Sequence, residues 1–420
     1  MRVLEGLQAS GLVHDVTDRE KLGALLDERP LVFYCGFDPS AKSLHVGNLV
    51  PMSLVRHLQH AGHKAIALIG GATGMIGDPS GKSEERRLLD RAALAENVAS
   101  VGAQIERLLP GAVVVNNADW IGPLSLIDFL RDVGKHITVN YMLAKETVRT
   151  RLEDRGHGIS YTEFSYMLLQ AYDFAHLART QQCLLQVGGS DQWGNITAGI
   201  ELTRRMGGPE VFGLVGPLLM APSGKKFGKT EEGTSVWLDP NLTSPYRFYQ
   251  YWINSDDADV ASFLRMFTML PLSESAELIA KHQADPGKRL AQRRLAEEMT
   301  TWVHGADASR RAAAASQVAF GGSLADLRDA DLEPLLQDVP SSEILSSELA
   351  AGVAMVDLLP RVGLADSKGA ARRLLAQGGA YVNNVRVEDP GRVITNDDRA
   401  TESIIVLRAG KKSYHFLRAR

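Results

Sequence analysis

The stretch LVFYCGFDPSAKSLHVGNLV, residues 31–50, decides how the chain folds. Its apolar opening, Leu31, Val32 and Phe33, predicts a buried strand, which Gly36, Asp38 and Pro39 bring to an end. Apolar residues then recur at Leu49, Met52, Val55 and Leu58, the spacing of one helix face. Pro51 is at home in the first turn, where backbone N–H groups have no helical partner. After a turn at Gly62, the run from Ala65 to Ile69 predicts the next strand. Strand, helix and strand make a right-handed βαβ unit. Its loop, with His45, Gly47 and Asn48, then falls at the carboxyl edge of a parallel sheet, where free N–H groups and the helix dipole favour phosphate.

At 420 residues the chain has material for several domains and a sizeable core. It has no run of roughly 18 apolar residues, the length needed to span a bilayer. Glu5, Asp15, Asp18 and Glu20 occupy the region where a leader peptide would be basic and then apolar. Two cysteines, Cys35 and Cys183, supply neither a disulfide framework nor a metal knuckle, so a cytoplasmic address is expected. The net charge of -4 is unevenly spread: residues 350–420 carry a balance of +5 and the rest of the chain -9. That asymmetry predicts a catalytic body with an appended polyanion binder.

Further along, 105–109 and 113–115 predict a helix and a strand, and 124–130 another apolar helix. Helical spacing returns from about Ser244 to His304, through Phe263, Met266, Phe267 and Leu270 and then Leu295, Met299 and Trp302. The expected division is an α/β, Rossmann-like parallel-sheet catalytic domain over 1–230, a helical domain over 231–322, a partly helical linker over 323–349 and a small α+β domain over 350–420. In the last, Lys368, Arg372 and Arg373 give a helix a basic face suited to RNA phosphates, and Gly378-Gly379 turns it into a strand.

Three motifs carry chemistry. The glycine-rich stretch 70–83 ends as a P-loop does, in Gly81-Lys82-Ser83, but Ile76 stands where the first glycine is required and Pro79 removes an N–H the cradle would use. In the helix predicted over 163–177, Tyr166, Gln170 and Asp173 share one face, while Phe164, Met167, Leu168, Phe174 and Leu177 make the remainder apolar. A polar stripe buried in that way needs a partner. After the strand at 184–187 comes Gly188-Gly189-Ser190-Asp191-Gln192, with Gly189 allowing close backbone approach and Asp191 suited to ribose hydroxyls. His57, His60 and His63 have ligand-like spacing without an accompanying cysteine or carboxylate, and read as a histidine-rich helix surface, so no protein-ligated metal is expected.

These residues resemble the signatures of the class I aminoacyl-tRNA synthetases, in family order. His45-Val46-Gly47-Asn48 is similar to His-x-Gly-His with Asn48 in the last place, Gly-Gly-Ser-Asp-Gln resembles the tyrosyl branch, and Lys226-Phe227-Gly228-Lys229-Thr230 resembles Lys-Met-Ser-Lys-Ser. The last seventy residues resemble the S4 RNA-binding fold. The resemblance implies activation of L-tyrosine by ATP to tyrosyl-adenylate and pyrophosphate, then transfer to the 3' end of tRNA(Tyr). ATP is a substrate here, with Mg2+ as its counter-ion, and the implied assembly is a homodimer joined near residues 124–141.

Residue by residue, the resemblance implies that Tyr34 and Asp173 read the phenolic hydroxyl, while Asp78, Tyr166, Gln170 and Gln192 hold the rest of the amino acid. Cys35, Gly36, Asp38, Ser40, Gly47, Gly189 and Asp191 would hold the nucleotide, with Leu218 and Leu219 flanking adenine. His45, Asn48, Lys82, Arg86, Lys226, Lys229 and Thr230 would act on the phosphates as pyrophosphate leaves, by position and charge and without a side-chain nucleophile. A tryptophan-type synthetase would have to place two hydroxyl-reading groups against an indole. A nucleotidylyltransferase for another acid would have no use for the basic terminal domain, and a non-catalytic RNA-binding relative would keep only that domain.

Overall fold

The computed structural model describes residues 2–80, 89–153, 158–219, 228, 234–319, 327–332, 336, 339–410 and 413–420. The chain forms two compact units, one of Met1–Leu242 with Ser255–Leu295, the other of Thr243–Asn254 with Ala296–Arg420.

The first unit is built on a six-stranded sheet. Its strands are β1 (Asp15–Val16), β2 (Val32–Phe37), β3 (Lys64–Ile69), β4 (Val113–Asn116), β5 (Cys183–Gly189) and β6 (Phe212–Gly216), in the order β1-β6-β5-β2-β3-β4. All neighbours are parallel except β1, which pairs antiparallel with β6 through Asp15↔Val215 and Val16↔Leu214. Five of the six residues of β3 and all of β6 are buried, so these strands read as continuous apolar runs, as parallel strands covered on both faces do. The helix Leu49–His60 connects β2 to β3, as expected, and Gly62 takes φ +93° in the turn between them. Ahead of the βαβ unit, the helices Val3–Ala9 and Arg19–Glu28 flank β1, a strand too short to show a period.

Topology fixes where a ligand can sit. From β2 the chain moves outward to β3 and β4, then returns through the helix Tyr161–Gln181 to lay β5 on the other side of β2. Reversal of strand order beside β2 opens a crevice at the carboxyl ends of β2 and β5. The helix Tyr161–Gln181 is fixed at both ends, by Ser160, which accepts from the Glu163 N–H, and by Gln182 at φ +53°. A buried ion pair between Arg151 and Glu163, 2.9 Å apart with both side chains at most 3 % exposed, ties its first turn to the preceding helix.

In the second unit a five-stranded sheet runs β10 (Val385–Val387), β9 (Ala380–Val382), β12 (Ile404–Ala409), β13 (Ser413–Ala419), β7 (Ser341–Ile344), beside a short pair of β8 (Val353–Ala354) and β11 (Val393–Ile394). The helices Met355–Arg361 and Lys368–Ala376 cover one face, with Leu358, Leu359, Ala371 and Leu375 packed on Ile405, Leu407 and Leu417. On the other face Ile404, Val406 and Phe416 meet Tyr246, Ala315 and Val318 from helices upstream in the chain. Residues 341–344 lie in the stretch read as linker, yet they pair parallel with β13 from Phe416↔Ser341 to Ala419↔Ile344. Three of these four residues are exposed, so the strand carries no apolar alternation by which to read it.

Candidate active site

The crevice beside β2 holds a cavity of about 600 Å³. It is lined by Tyr34, Cys35, Gly36, Asp38 and Ser40 from β2 and the following loop, and by His45, Gly47 and Asn48 at the entry to the next helix. Asp78 joins them, with Tyr166, Gln170 and Asp173 from one face of the helix Tyr161–Gln181, and Gly189, Asp191, Gln192, Leu218 and Leu219 from the ends of β5 and β6. Seventeen residues singled out from the sequence are therefore brought to one site. Lys82, Arg86, Lys226, Lys229 and Thr230 lie outside the described residues.

At the floor, Tyr34 stands in an apolar cluster with Ile66, Leu68, Phe174 and Leu177, its ring edge-on to Phe174 at 5.3 Å. Its hydroxyl is buried with no hydrogen-bond partner among the described residues. Nearby, Asp173 is 1 % exposed and accepts from Asn117 Nδ2 at 3.0 Å and Trp120 Nε1 at 2.8 Å. Burial pushes its carboxyl up to about 7, against the two hydrogen bonds, which favour the charged form. Burial likewise raises the Tyr34 phenol, as does the charge of Asp173. An orphaned hydroxyl and a buried carboxyl thus stand together beside an apolar cluster, polar groups with hydrogen-bonding capacity to spare.

Above this floor polar side chains interlock. Asp78 accepts from the Ser80 N–H at 2.9 Å and from Gln192 Nε2 at 2.7 Å. Gln192 Oε1 in turn accepts from Gln170 Nε2 and Asn195 Nδ2, both at 3.2 Å. The side-chain oxygen Oε1 of Gln170 is buried without a partner among the described residues, an acceptor with capacity to spare. Tyr166 donates its hydroxyl to Asp38 Oδ2 at 2.9 Å, so it links the two groups of residues assigned to amino acid and nucleotide.

At the nucleotide edge His45 caps a short turn. Its Nδ1 accepts from the Gly47 N–H at 3.0 Å, and its own N–H donates to Asn48 Oδ1 at 3.0 Å. Asn48 thus completes a reciprocal cap, which explains what an amide does in the last place of the motif. With Nδ1 accepting, a neutral imidazole holds its proton on Nε2 and is a donor there. A Cβ on Gly47 would lie 2.7 Å from the His45 ring, so only glycine fits. Gly228, from the motif spanning 226–230, takes φ +86° and packs on this loop: a Cβ there would lie 3.1 Å from Gly47 N. The Cys35 thiol is pushed up to about 12 by burial, which makes it a neutral group rather than a nucleophile.

Four polar neighbours, Thr73, Asn117, Trp120 and Asn195, escape a reading of the sequence. Asn117 had one available signal, its place just after β4, at the carboxyl edge of the sheet. In the second unit Arg372 and Arg373 are exposed on the helix Lys368–Ala376, while Lys368 pairs with Asp357 at 2.6 Å.

A parallel sheet of the nucleotide-binding type, with a helix-entry loop and a buried polar cluster at its carboxyl edge, is the architecture of an enzyme that acts on a nucleotide. The family model for class I tRNA synthetases (W and Y) matches residues 26–321, and that for the tyrosine--tRNA ligase SYY-like C-terminal domain matches 331–417. The chain is 51% identical to a tyrosine--tRNA ligase of Roseiflexus castenholzii over 99% of each chain, and 48% identical to one of Bacillus caldotenax over 100% of each. A C-terminally truncated mitochondrial tyrosyl-tRNA synthetase of Aspergillus nidulans superposes with a TM-score of 0.68 at 31% identity, over 74% of this chain and 92% of that one. The tryptophanyl-tRNA synthetase of Giardia lamblia shares the fold, with a TM-score of 0.54 at 14% identity, over 73% of this chain and 85% of that one. The chain belongs to the class I tyrosyl-tRNA synthetases of bacterial type, with their C-terminal domain.

Proposed function

We propose that the cavity beside β2 is where this chain joins L-tyrosine to ATP, before the tyrosyl group passes to tRNA(Tyr). The observation that carries this reading is the pair at its floor, a Tyr34 hydroxyl without a partner among the described residues and a buried Asp173 carboxylate. Tyrosine's phenol would donate to Asp173 and accept from Tyr34. Its ammonium would meet Asp78, Gln170 and Gln192, and its carboxylate would face the nucleotide edge. There the carboxylate attacks the α-phosphate of ATP and pyrophosphate leaves, and no protein atom forms a covalent bond to substrate. The His45 Nε2–H donates toward phosphate, and Asp38 and Asp191 hold the nucleoside. Mg2+ enters as the counter-ion of ATP. Lys82, Arg86, Lys226, Lys229 and Thr230 are proposed to add positive charge and donors at the leaving group.

The same reading covers the rest of the molecule. Lys368, Arg372 and Arg373 are proposed as phosphate contacts to the tRNA. Leu126 and Ile127, each 69% exposed, with Leu130 and Val139 are exposed apolar side chains that we assign to a homodimer contact. Among the described residues no helix is long and apolar enough to cross a membrane, and we place the chain in the cytoplasm. Incubation of the purified chain with ATP and labelled tyrosine, without tRNA, followed by gel filtration, tests the reading. Tyrosyl-adenylate eluting with the protein supports it, and its absence with active ATP and folded protein refutes it.

A further inference from the structure

Between two of the site's carboxylates, Asp173 and Asp38, runs a hydrogen-bond chain whose every proton is placed by its neighbours. Asn117 Oδ1 accepts from the Ala72 N–H at 2.8 Å, which fixes the side-chain amide and turns its NH2 the other way. That Nδ2 stands 3.0 Å from Asp173 Oδ2 and 3.0 Å from Thr73 Oγ1, donating to each. Thr73 Oγ1, already an acceptor, gives its one proton to Asp38 Oδ1 at 3.0 Å. Asp38 Oδ2 takes the Tyr166 hydroxyl at 2.9 Å. Thr73, Asn117 and Asp173 are all 2 % exposed or less, so the links among them are shielded from bulk solvent, while Asp38 is half-buried at the cavity wall. The chain lies directly over Gly70, where a Cβ would come within 2.1 Å of Asp38 Oδ1 and 2.4 Å of Thr73 Oγ1.

We propose that Thr73 is a positioning residue that couples the phenol-reading end of the site to its nucleotide end. The Asn117 amide is planar, so one N–H cannot follow a movement of Asp173 without displacing the other from Thr73. Thr73 has no second proton, so its link to Asp38 is set by that amide. A phenol that reorders Asp173 therefore reorders Asp38, and the two substrates bind with linked affinities. This inference rests on the proposal that the cavity holds tyrosine and ATP together.

Its test is the affinity for tyrosine, by equilibrium dialysis of the full chain, with and without an ATP analogue whose α–β bridge is a methylene. The wild-type chain is expected to bind tyrosine about tenfold more tightly with the analogue present, a coupling in the usual range for linked sites. Thr73→Val keeps the volume and loses the hydroxyl, and its ratio is expected near one, while Thr73→Ser restores the wild-type ratio. A merely structural role would weaken tyrosine binding equally in both conditions and leave the ratio unchanged. A wild-type ratio near one, or an unchanged ratio in Thr73→Val, overturns the proposal. Should that variant fail to fold, Thr73→Ala removes the same hydroxyl and is judged by the same ratio. A wild-type chain that binds no tyrosine at all would refute the assignment of the cavity itself, which a loss of coupling alone would not.

Discussion

Replacing Tyr34 by Phe should move stability and substrate selection in opposite directions. In the free chain the Tyr34 hydroxyl is buried without a partner among the described residues, and a buried group in that state costs about 1–3 kcal/mol. Tyr34→Phe removes only that oxygen and keeps the edge-on contact with Phe174 at 5.3 Å. The unliganded variant should therefore be more stable, by about 1 kcal/mol, with a melting temperature about 1–3 °C higher. In the complex the hydroxyl gains a partner in tyrosine's phenol, so its loss should weaken tyrosine by about 1 kcal/mol, roughly fivefold in KM. Phenylalanine has no hydroxyl to lose and should gain slightly. Thermal unfolding without ligand, with ATP-pyrophosphate exchange for both amino acids, measures the two effects. A variant less stable than wild type, or an unchanged ratio of tyrosine to phenylalanine exchange, would refute the reasoning.

Other consequences follow from the same geometry. With the Asp173 carboxyl raised to about 7, kcat/KM for tyrosine should rise with pH through neutrality, because the ionised form is the better acceptor for a phenol. The same group should make the folded chain lose stability as pH climbs from the ordinary carboxylate range to about 7, since the fold retains a proton the unfolded chain has released. Flat profiles in exchange and in urea unfolding would count against both. Glu163→Gln leaves Arg151 buried without its counter-charge and should cost about 3–5 kcal/mol of stability, read by urea unfolding. Lys229→Ala should raise the barrier to adenylation by about 2–4 kcal/mol, as loss of one preorganised charge does. An unchanged single-turnover rate would remove Lys229 from the reaction.

Much of this site was legible because it follows from local periodicity. The strand, loop and helix of residues 31–60 were readable from their apolar spacing, as were the three polar residues sharing a face of the helix Tyr161–Gln181. The groups that hold Asp173 were not, because Asn117 and Trp120 lie 56 and 53 residues from it and meet it only through the order of the strands. Thr73 escaped for a similar reason: it sits in a glycine-rich turn whose backbone suggested phosphate, while its side chain joins the Asn117 amide to the Asp38 carboxylate through one oxygen. The strand at 341–344 was hidden by its exposed serines and could be recognised only from its partner, β13.

The decisive measurement is ATP-pyrophosphate exchange by the purified chain with tyrosine, phenylalanine or tryptophan, without tRNA. Exchange is expected with tyrosine alone, its rate falling when either Tyr34 or Asp173 is altered. Exchange with tryptophan in preference, or with none of the three in folded protein, would contradict the proposed function.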